Sequence, residues 1–453
     1  MALERTFRCA HHPYRRFVAL LAAATLASPS HADQDGAYDP NFGSVGRTWF
    51  DVTSSSSDNG SKLILLPHGN FFMAGACGEN AIACGIWLTA SGTLASGFGT
   101  AGTGKVLFSD FAGWPADANG PADAAAFADG RVALAGYKGT GSYLATLQAD
   151  GTGLDPAVGN GAGYVSPSFT VASVRVTAQQ QLIVVGRVQA SPVAIVVARY
   201  DSTLHLDTSF GSSGSRTIGF TSADVYPSGM TLQKDGKIVV IGTVSRSPKA
   251  IGIVRLTANG NPDPDFGINS DGRYESSYGT VYGTGGTDIA EDKKGRLVFS
   301  GYARTDDVYG GEWLVNRVLS GGAVDPGFNG GAPQEFTIVS SSTIYSPHGC
   351  CVALQADGRI VVAGTMARPS EGYYFAISRF LDDGNFDYSF GGGGQSYGDM
   401  STQAPNVMSD YPSSMVIAGG GIVVAGATQL KSSELGFSVA KARIDLLFAA
   451  DFD

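Results

Sequence analysis

The most distinctive chemistry in this chain belongs to four cysteines, Cys77, Cys84, Cys350 and Cys351. Cys77 and Cys84 flank the stretch from Gly78 to Ala83, a connection between two strand-like runs that a disulfide can span. Cys350 and Cys351 are adjacent and follow His348-Gly349. Three outcomes compete for that pair: a vicinal disulfide, two buried thiols, or a metal site shared with His348. Neighbouring Cα atoms stand about 3.8 Å apart across a trans peptide, closer than an ordinary disulfide prefers. Strand alternation would send the two sulfurs to opposite faces, so a vicinal bridge requires this segment to be a turn. Two thiols and one imidazole leave a zinc shell incomplete.

Carboxylates and tyrosines form a second set. Asp110, Asp117, Asp123 and Glu291, with Tyr226, Tyr345 and Tyr411 placed ahead of first strands, are the residue types of an acid–base site at a channel mouth. Packing beneath loops is the structural alternative for the tyrosines. His68 and His205 fall at turns and read as solvated turn residues. Asp263, Asp265, Asn269 and Asp271 crowd one loop before Gly272, but their spacing departs from the alternating EF-hand pattern. Turn carboxylates need no metal, so no cofactor is expected, with calcium as the alternative. The chain has no His-Glu-x-x-His, no Cys-x-x-Cys and no Walker loop.

The elements that must position these residues are repeats. Gly75, Gly136, Gly186, Gly242, Gly301, Gly364 and Gly426 each close an apolar, strand-like run, at intervals of 61, 50, 56, 59, 63 and 62 residues. In the fourth repeat Met230–Gln233 reads as a first strand, Asp235-Gly236 as a hairpin turn, Ile238–Gly242 as a second strand, Ile251–Leu256 as a third and Arg273–Glu275 as the start of a fourth. Four strands in about sixty residues describe a propeller blade. The fold class expected is all-β, a single seven-bladed β-propeller with four strands per blade. Asp39-Pro-Asn-Phe-Gly43 precedes the first repeat, and the seventh lacks such a turn. The N-terminal segment Gly46–Phe50 is therefore expected to close the last blade.

Within the third strands, Arg199, Arg255, Arg317 and Arg379 each lie eight residues before a turn aspartate, Asp207, Asp263, Asp325 and Asp387. The pairing predicts a structural ion pair in each blade, and by analogy Arg443 with Asp39. A ring of arginines binding an anion is the alternative. Trp87 and Ala95 stand at these places in the first repeat, and Leu147 with Asp155 in the second. Asp-Gly-Lys-Ile-Val-Val-x-Gly, an Ala-x-x-Arg-Tyr-like strand and Asp-x-Ser-Phe-Gly together resemble the delta-60 repeat family; residues 199–211, 232–242, 354–364 and 379–391 carry this best. The resemblance implies a propeller-like secreted or surface protein and no catalytic residues.

Residues 1–32 carry Arg5, Arg8, Arg15 and Arg16, an apolar run from Phe17 to Ala27 and a small-residue end at Ser30-His31-Ala32, the pattern of a secretory signal peptide. The domain proper is then 33–453, exported to the periplasm, cell surface or exterior. Of 30 basic and 40 acidic residues, the first 32 hold four Arg and one Glu, leaving a net −13. That balance disfavours nucleic acid and anionic membranes. The expected function is a non-catalytic binding or scaffold protein for a protein or glycan partner, working as a monomer. An extracellular hydrolase or lyase with a carboxylate and tyrosine site at the channel mouth is the alternative.

Overall fold

The computed structural model describes residues 35–444, apart from 54–56, 116, 279–282, 305–310, 337–348, 369–371, 399–408 and 432–433. The segment read as a signal peptide, Tyr345 and His348 lie outside the described residues. The architecture is all-β and built of antiparallel four-strand units. Five stand as separate four-stranded sheets, and two are joined into an eight-stranded sheet through the single pairing of Ile82 with Asn119. In the fourth repeat the strands Asp224–Leu232, Ile238–Ser245, Ala250–Leu256 and Arg273–Ser276 pair in chain order. Ile238, Val239, Val240 and Ile241 are all buried, because both faces of the sheet pack on neighbouring sheets. Tyr226 and Tyr411 lie within first strands rather than ahead of them, since those strands extend several residues earlier than their apolar parts suggest.

Seven equivalent backbone hydrogen bonds join the units. The amide after each second turn donates to a carbonyl in the next unit: Gly99 to Asp150, Gly159 to Thr203, Gly211 to Asn259, Gly267 to Gly321, Asn329 to Asp383, Gly391 to Asp35 and Gly43 to Ser91. The last two run through the N-terminal segment. Arg47–Phe50 also pairs antiparallel with Glu434–Arg443 as the outer strand of the final sheet. One apolar cluster accordingly combines Phe42, Leu63 and Phe71 with Val423, Ala425 and Phe437.

The turn phenylalanines reinforce each link. Phe210, Phe266, Phe328, Phe390 and Phe42 are buried. A Cβ on Gly260, Gly322, Gly384, Gly36 or Gly92 of the following unit would meet the corresponding ring. Those glycines also have positive φ, so shape and backbone both demand glycine there. At the second link Val158 stands in place of Phe and Leu204 of the following unit in place of Gly, and both sit in one apolar cluster.

Each turn aspartate gathers two polar partners from its own unit. Arg199 Nε lies 2.8 Å from Asp207, Arg255 Nε 2.6 Å from Asp263, Arg317 Nε 2.7 Å from Asp325 and Arg379 Nε 2.8 Å from Asp387. The hairpin before the second strand supplies the other partner: Gln181 Nε2 at 3.4 Å from Asp207, Lys237 Nζ at 3.3 Å from Asp263, Arg296 Nη1 at 3.5 Å from Asp325 and Arg359 Nε at 2.7 Å from Asp387. The arginines also lie over the turn rings, 4.5 Å from the Phe266 centroid for Arg255. Their guanidiniums reach the next unit, as Arg199 does at the Ala258 carbonyl and Arg255 at the Ser320 carbonyl.

Two counterparts differ from the sequence expectation. The ion pair of Asp39 is with Lys441, at 3.0 Å, while Arg443 acts on Asp39 through its charge. Strand register explains this: Lys441 pairs with Val423 as Arg379 pairs with Val361, and Asp39 N donates to Lys441 O as Asp387 N does to Arg379 O. In the second repeat Thr146, not Leu147, occupies the arginine place, and Asp155 takes Arg131 at 2.8 Å instead.

The buried pair and an exposed pair make a direct comparison. Arg255→Ala leaves Asp263 buried with half its compensation and is expected to lower unfolding free energy by about 3–5 kcal/mol. Arg246→Ala, which removes an exposed partner of Glu275, is expected to cost about 1 kcal/mol or less. Denaturant unfolding of both variants checks this; equal losses would contradict the clamp role.

Candidate functional site

All seven first strands carry a β-bulge at the same level. The register shifts fall between Gly60 and Lys62, Pro121 and Asp123, Val171 and Ser173, Pro227 and Gly229, Gly286 and Asp288, Gly349 and Cys351, and Pro412 and Ser414. The extra residues line one shared cavity of about 120 Å³, together with the residues that follow them. A bulge re-aims side chains that a regular strand would send to opposite faces. Cys350 and Cys351 occupy one of these bulges, and their sulfurs are bonded. The segment is thus a bulged strand, not the turn that the sequence argument required.

Hydroxyls at the bulges tie neighbouring units. Ser61 Oγ donates to the Pro121 carbonyl at 2.6 Å, Ser228 Oγ to the Gly286 carbonyl at 2.7 Å, and Ser413 Oγ to the Gly60 carbonyl at 2.8 Å. The third of these joins the last unit to the first by the contact that joins the first to the second.

Charged groups converge at the same level. Asp123 is buried, with Arg175 Nη1 at 2.7 Å and Lys62 Nζ at 3.3 Å. It also accepts from Ser173 Oγ at 2.6 Å, Val174 N at 2.9 Å and Ala124 N at 3.0 Å. Burial alone would raise this carboxyl, but Arg175, Lys62 and the Ser173 hydroxyl hold it well below the ordinary carboxylate range. Asp288 occupies the equivalent place after the bulge of the fifth repeat, accepting from Val352 N at 3.1 Å and Ile289 N at 2.9 Å. Burial raises its carboxyl above the usual range, against the opposing charges of Lys62 and Arg175.

The other candidates do not converge here. Glu291 sits at the hairpin end of its strand, accepting from Gln233 Nε2 at 2.7 Å and Lys234 N at 2.9 Å. Asp110 is exposed on a short 3-10 segment, and Asp117 is exposed 3.9 Å from Lys138 Nζ. Tyr226 lies under the Arg187 guanidinium, and Tyr411 against Tyr373, both partly exposed. His68 and His205 are exposed in turns. Cys77 and Cys84 are bonded across adjacent strands, at a Cα separation of 5.9 Å. Asp263 is engaged by Arg255 and Lys237, and Asp271 by Arg273 at 3.1 Å. Among the described residues, no three His, Cys, Asp or Glu side chains gather as a metal site.

Two features escaped the sequence reading. Gly394-Gln-Ser-Tyr-Gly398 has the spacing of a nucleophile elbow, yet it forms an outer strand, and Ser396 Oγ donates to the Gly36 carbonyl at 2.6 Å. The bulges had a signal: Gly or Pro precedes the closing glycine by 15 residues in five repeats and by 14 in the last, with Val171 the exception.

A family model described as a domain of unknown function (DUF5122) beta-propeller matches residues 233–266 and 355–390. The matched repeat is a propeller repeat. No curated protein matches the chain. Among solved structures, a PL25 polysaccharide lyase, an ulvan lyase bound to -[GlcA(1-4)Rha3S]-, is 10% identical, with 87% of this chain and 96% of that chain covered and a TM-score of 0.50. A protein of unknown function from Dyadobacter fermentans is 11% identical, covering 90% of this chain and 100% of its own, with a TM-score of 0.46. YCF48 bound to a D1 peptide is 9% identical, covering 91% and 99%, with a TM-score of 0.44. At these identities the likeness is one of fold.

The depressed Asp123 carboxyl gives a pH test. Its contribution to stability is full above the unfolded value of about 4 and is lost as pH falls toward the folded value. Asp123→Asn is therefore expected to cost about 3 kcal/mol near neutrality, with the difference from wild type shrinking steadily in acid. A difference that does not vary with pH in thermal melts would contradict the assignment.

Proposed function

We propose that the chain is a closed seven-bladed propeller of delta-60 type, exported, and acting as a non-catalytic binding or scaffold protein for a protein or glycan. Closure rests on the seven equivalent links, two of which pass through Asp35 and Gly43. The observation that carries the functional reading is the axial cavity. At about 120 Å³ it has room for a few water molecules rather than for a segment of a macromolecule. Its ionised Asp123 is held by two cations, one hydroxyl and two amides. A macromolecular partner then meets the loop faces, where propellers present their variable residues. Two disulfides, and the lack of any helix long and apolar enough to cross a membrane among the described residues, are compatible with export.

The alternative is an extracellular hydrolase or lyase at the channel mouth. Partly exposed Tyr226 and Tyr411, near the starts of their strands, favour it. Screening the purified protein on a glycan array and a polysaccharide substrate panel separates the two readings. Retention of a glycan without product is expected. Turnover that Tyr226→Phe or Tyr411→Phe abolishes would overturn the binding reading.

A further inference from the structure

Internal repetition makes Asp123 and Asp288 counterparts. Each follows a bulge residue, each takes the amide of its own successor, and each takes an amide two residues past the bulge of the next unit. Their neighbourhoods differ at one telling place. Ser173, beside Asp123, donates its hydroxyl to the carboxylate at 2.6 Å. The residue at the Ser173 position beside Asp288 is Cys351, by the shared register of the two bulges. A cysteine thus takes the register position at which the other unit places the proton donor of a buried carboxylate, and Cys351 and Asp288 line the same cavity. Asp288 also lacks the local cation that Asp123 has in Arg175, because Ala353 holds that place in the next strand.

We propose that Cys350–Cys351 is a redox-active disulfide at the propeller axis, that its reductant is a small dithiol, and that Asp288 is the group exchanging a proton with Cys351. Cys350 is the half-buried residue of the pair and Cys351 the buried one, so attack comes at Cys350. A thiolate of the dithiol bonds to Cys350 Sγ, and the Cys350–Cys351 bond breaks with its electron pair on Cys351 Sγ. The Asp288 carboxyl delivers its proton to that sulfur, leaving a carboxylate that Cys351 S–H can donate to, as Ser173 does to Asp123. The second thiolate of the reductant then attacks its own sulfur in the mixed disulfide. It releases a cyclic disulfide and the Cys350 thiolate, which takes a proton from water. Two electrons pass from the dithiol to the protein. Burial of Asp288, which favours its protonated form, suits it to this step.

Among the described residues, the remaining charged groups facing this corner are Asp123, Lys62 and Arg175, all on the same cavity wall. The two cations lie within electrostatic reach of Asp288, where their charge opposes the effect of its burial. Cys77 and Cys84 are wholly buried elsewhere and have no such neighbours on this wall.

The test is dithiothreitol reduction of the full chain, followed by alkylation and intact and peptide mass. Cys350 and Cys351 are expected to open while Cys77–Cys84 stays joined. Asp288→Asn is expected to slow that opening by about 100-fold, the scale of a lost general acid, and a change of less than about twofold in a folded variant would overturn the proposal. A second readout uses wild type alone, so it stands even if the variant does not fold. The rate constant per dithiothreitol thiolate is expected to fall as pH rises through the Asp288 titration. A flat profile, or simultaneous opening of both disulfides, would overturn it.

Discussion

The amide that follows each turn phenylalanine finds its acceptor only in the next unit, and the rest of the structure depends on that dependence. A four-stranded sheet with both faces apolar cannot stand alone in water. Here the sheet gains a neighbour through a fixed set of contacts: the amide link, the buried ring against glycine, and an arginine held over that ring by its aspartate. The arginine serves both sides, since its Nε meets its own aspartate while another nitrogen meets the next unit. A buried pair of this kind is retained for register as well as energy, because a shifted strand would strand a charge.

The same repetition builds the shared cavity. Seven bulges at one level aim short side chains inward, and the closing glycines answer them. A Cβ on Gly242 or Gly426 would collide with the Tyr226 or Tyr411 carbonyl just before the bulge. Glycine and bulge are two halves of one feature. Because every unit contributes the same position, a substitution in any one repeat brings new chemistry to a shared cavity. Lys62, Asp123, Asp288 and Cys351 are four such substitutions from four repeats.

This explains which parts were legible in the sequence. The hairpins, the turn phenylalanines and four of the arginine–aspartate pairs are local signals, each contained within a dozen residues, and their recurrence every 50–63 residues gives the period. Lys441 was hidden because a lysine replaces arginine and Arg443 stands two residues away as a decoy. Arg131 was hidden because the partner of Asp155 comes from the hairpin rather than the third strand. The Asp123 cluster draws Lys62 and Arg175 from the repeats on either side, so no spacing rule joins them. Asp117 and Glu291 resembled Asp123 in type, and only the strand level separates them.

Hydrogen exchange at the seam measures the central claim most directly. Amide exchange at Gly43 and Gly391, which link through the N-terminal segment, is to be compared with exchange at Gly211 and Gly267 in the interior of the repeat array. A closed ring gives the four amides protection of the same order. Rapid exchange at Gly43 and Gly391, with protection kept at Gly211 and Gly267, would mean that the first and last units do not hold each other.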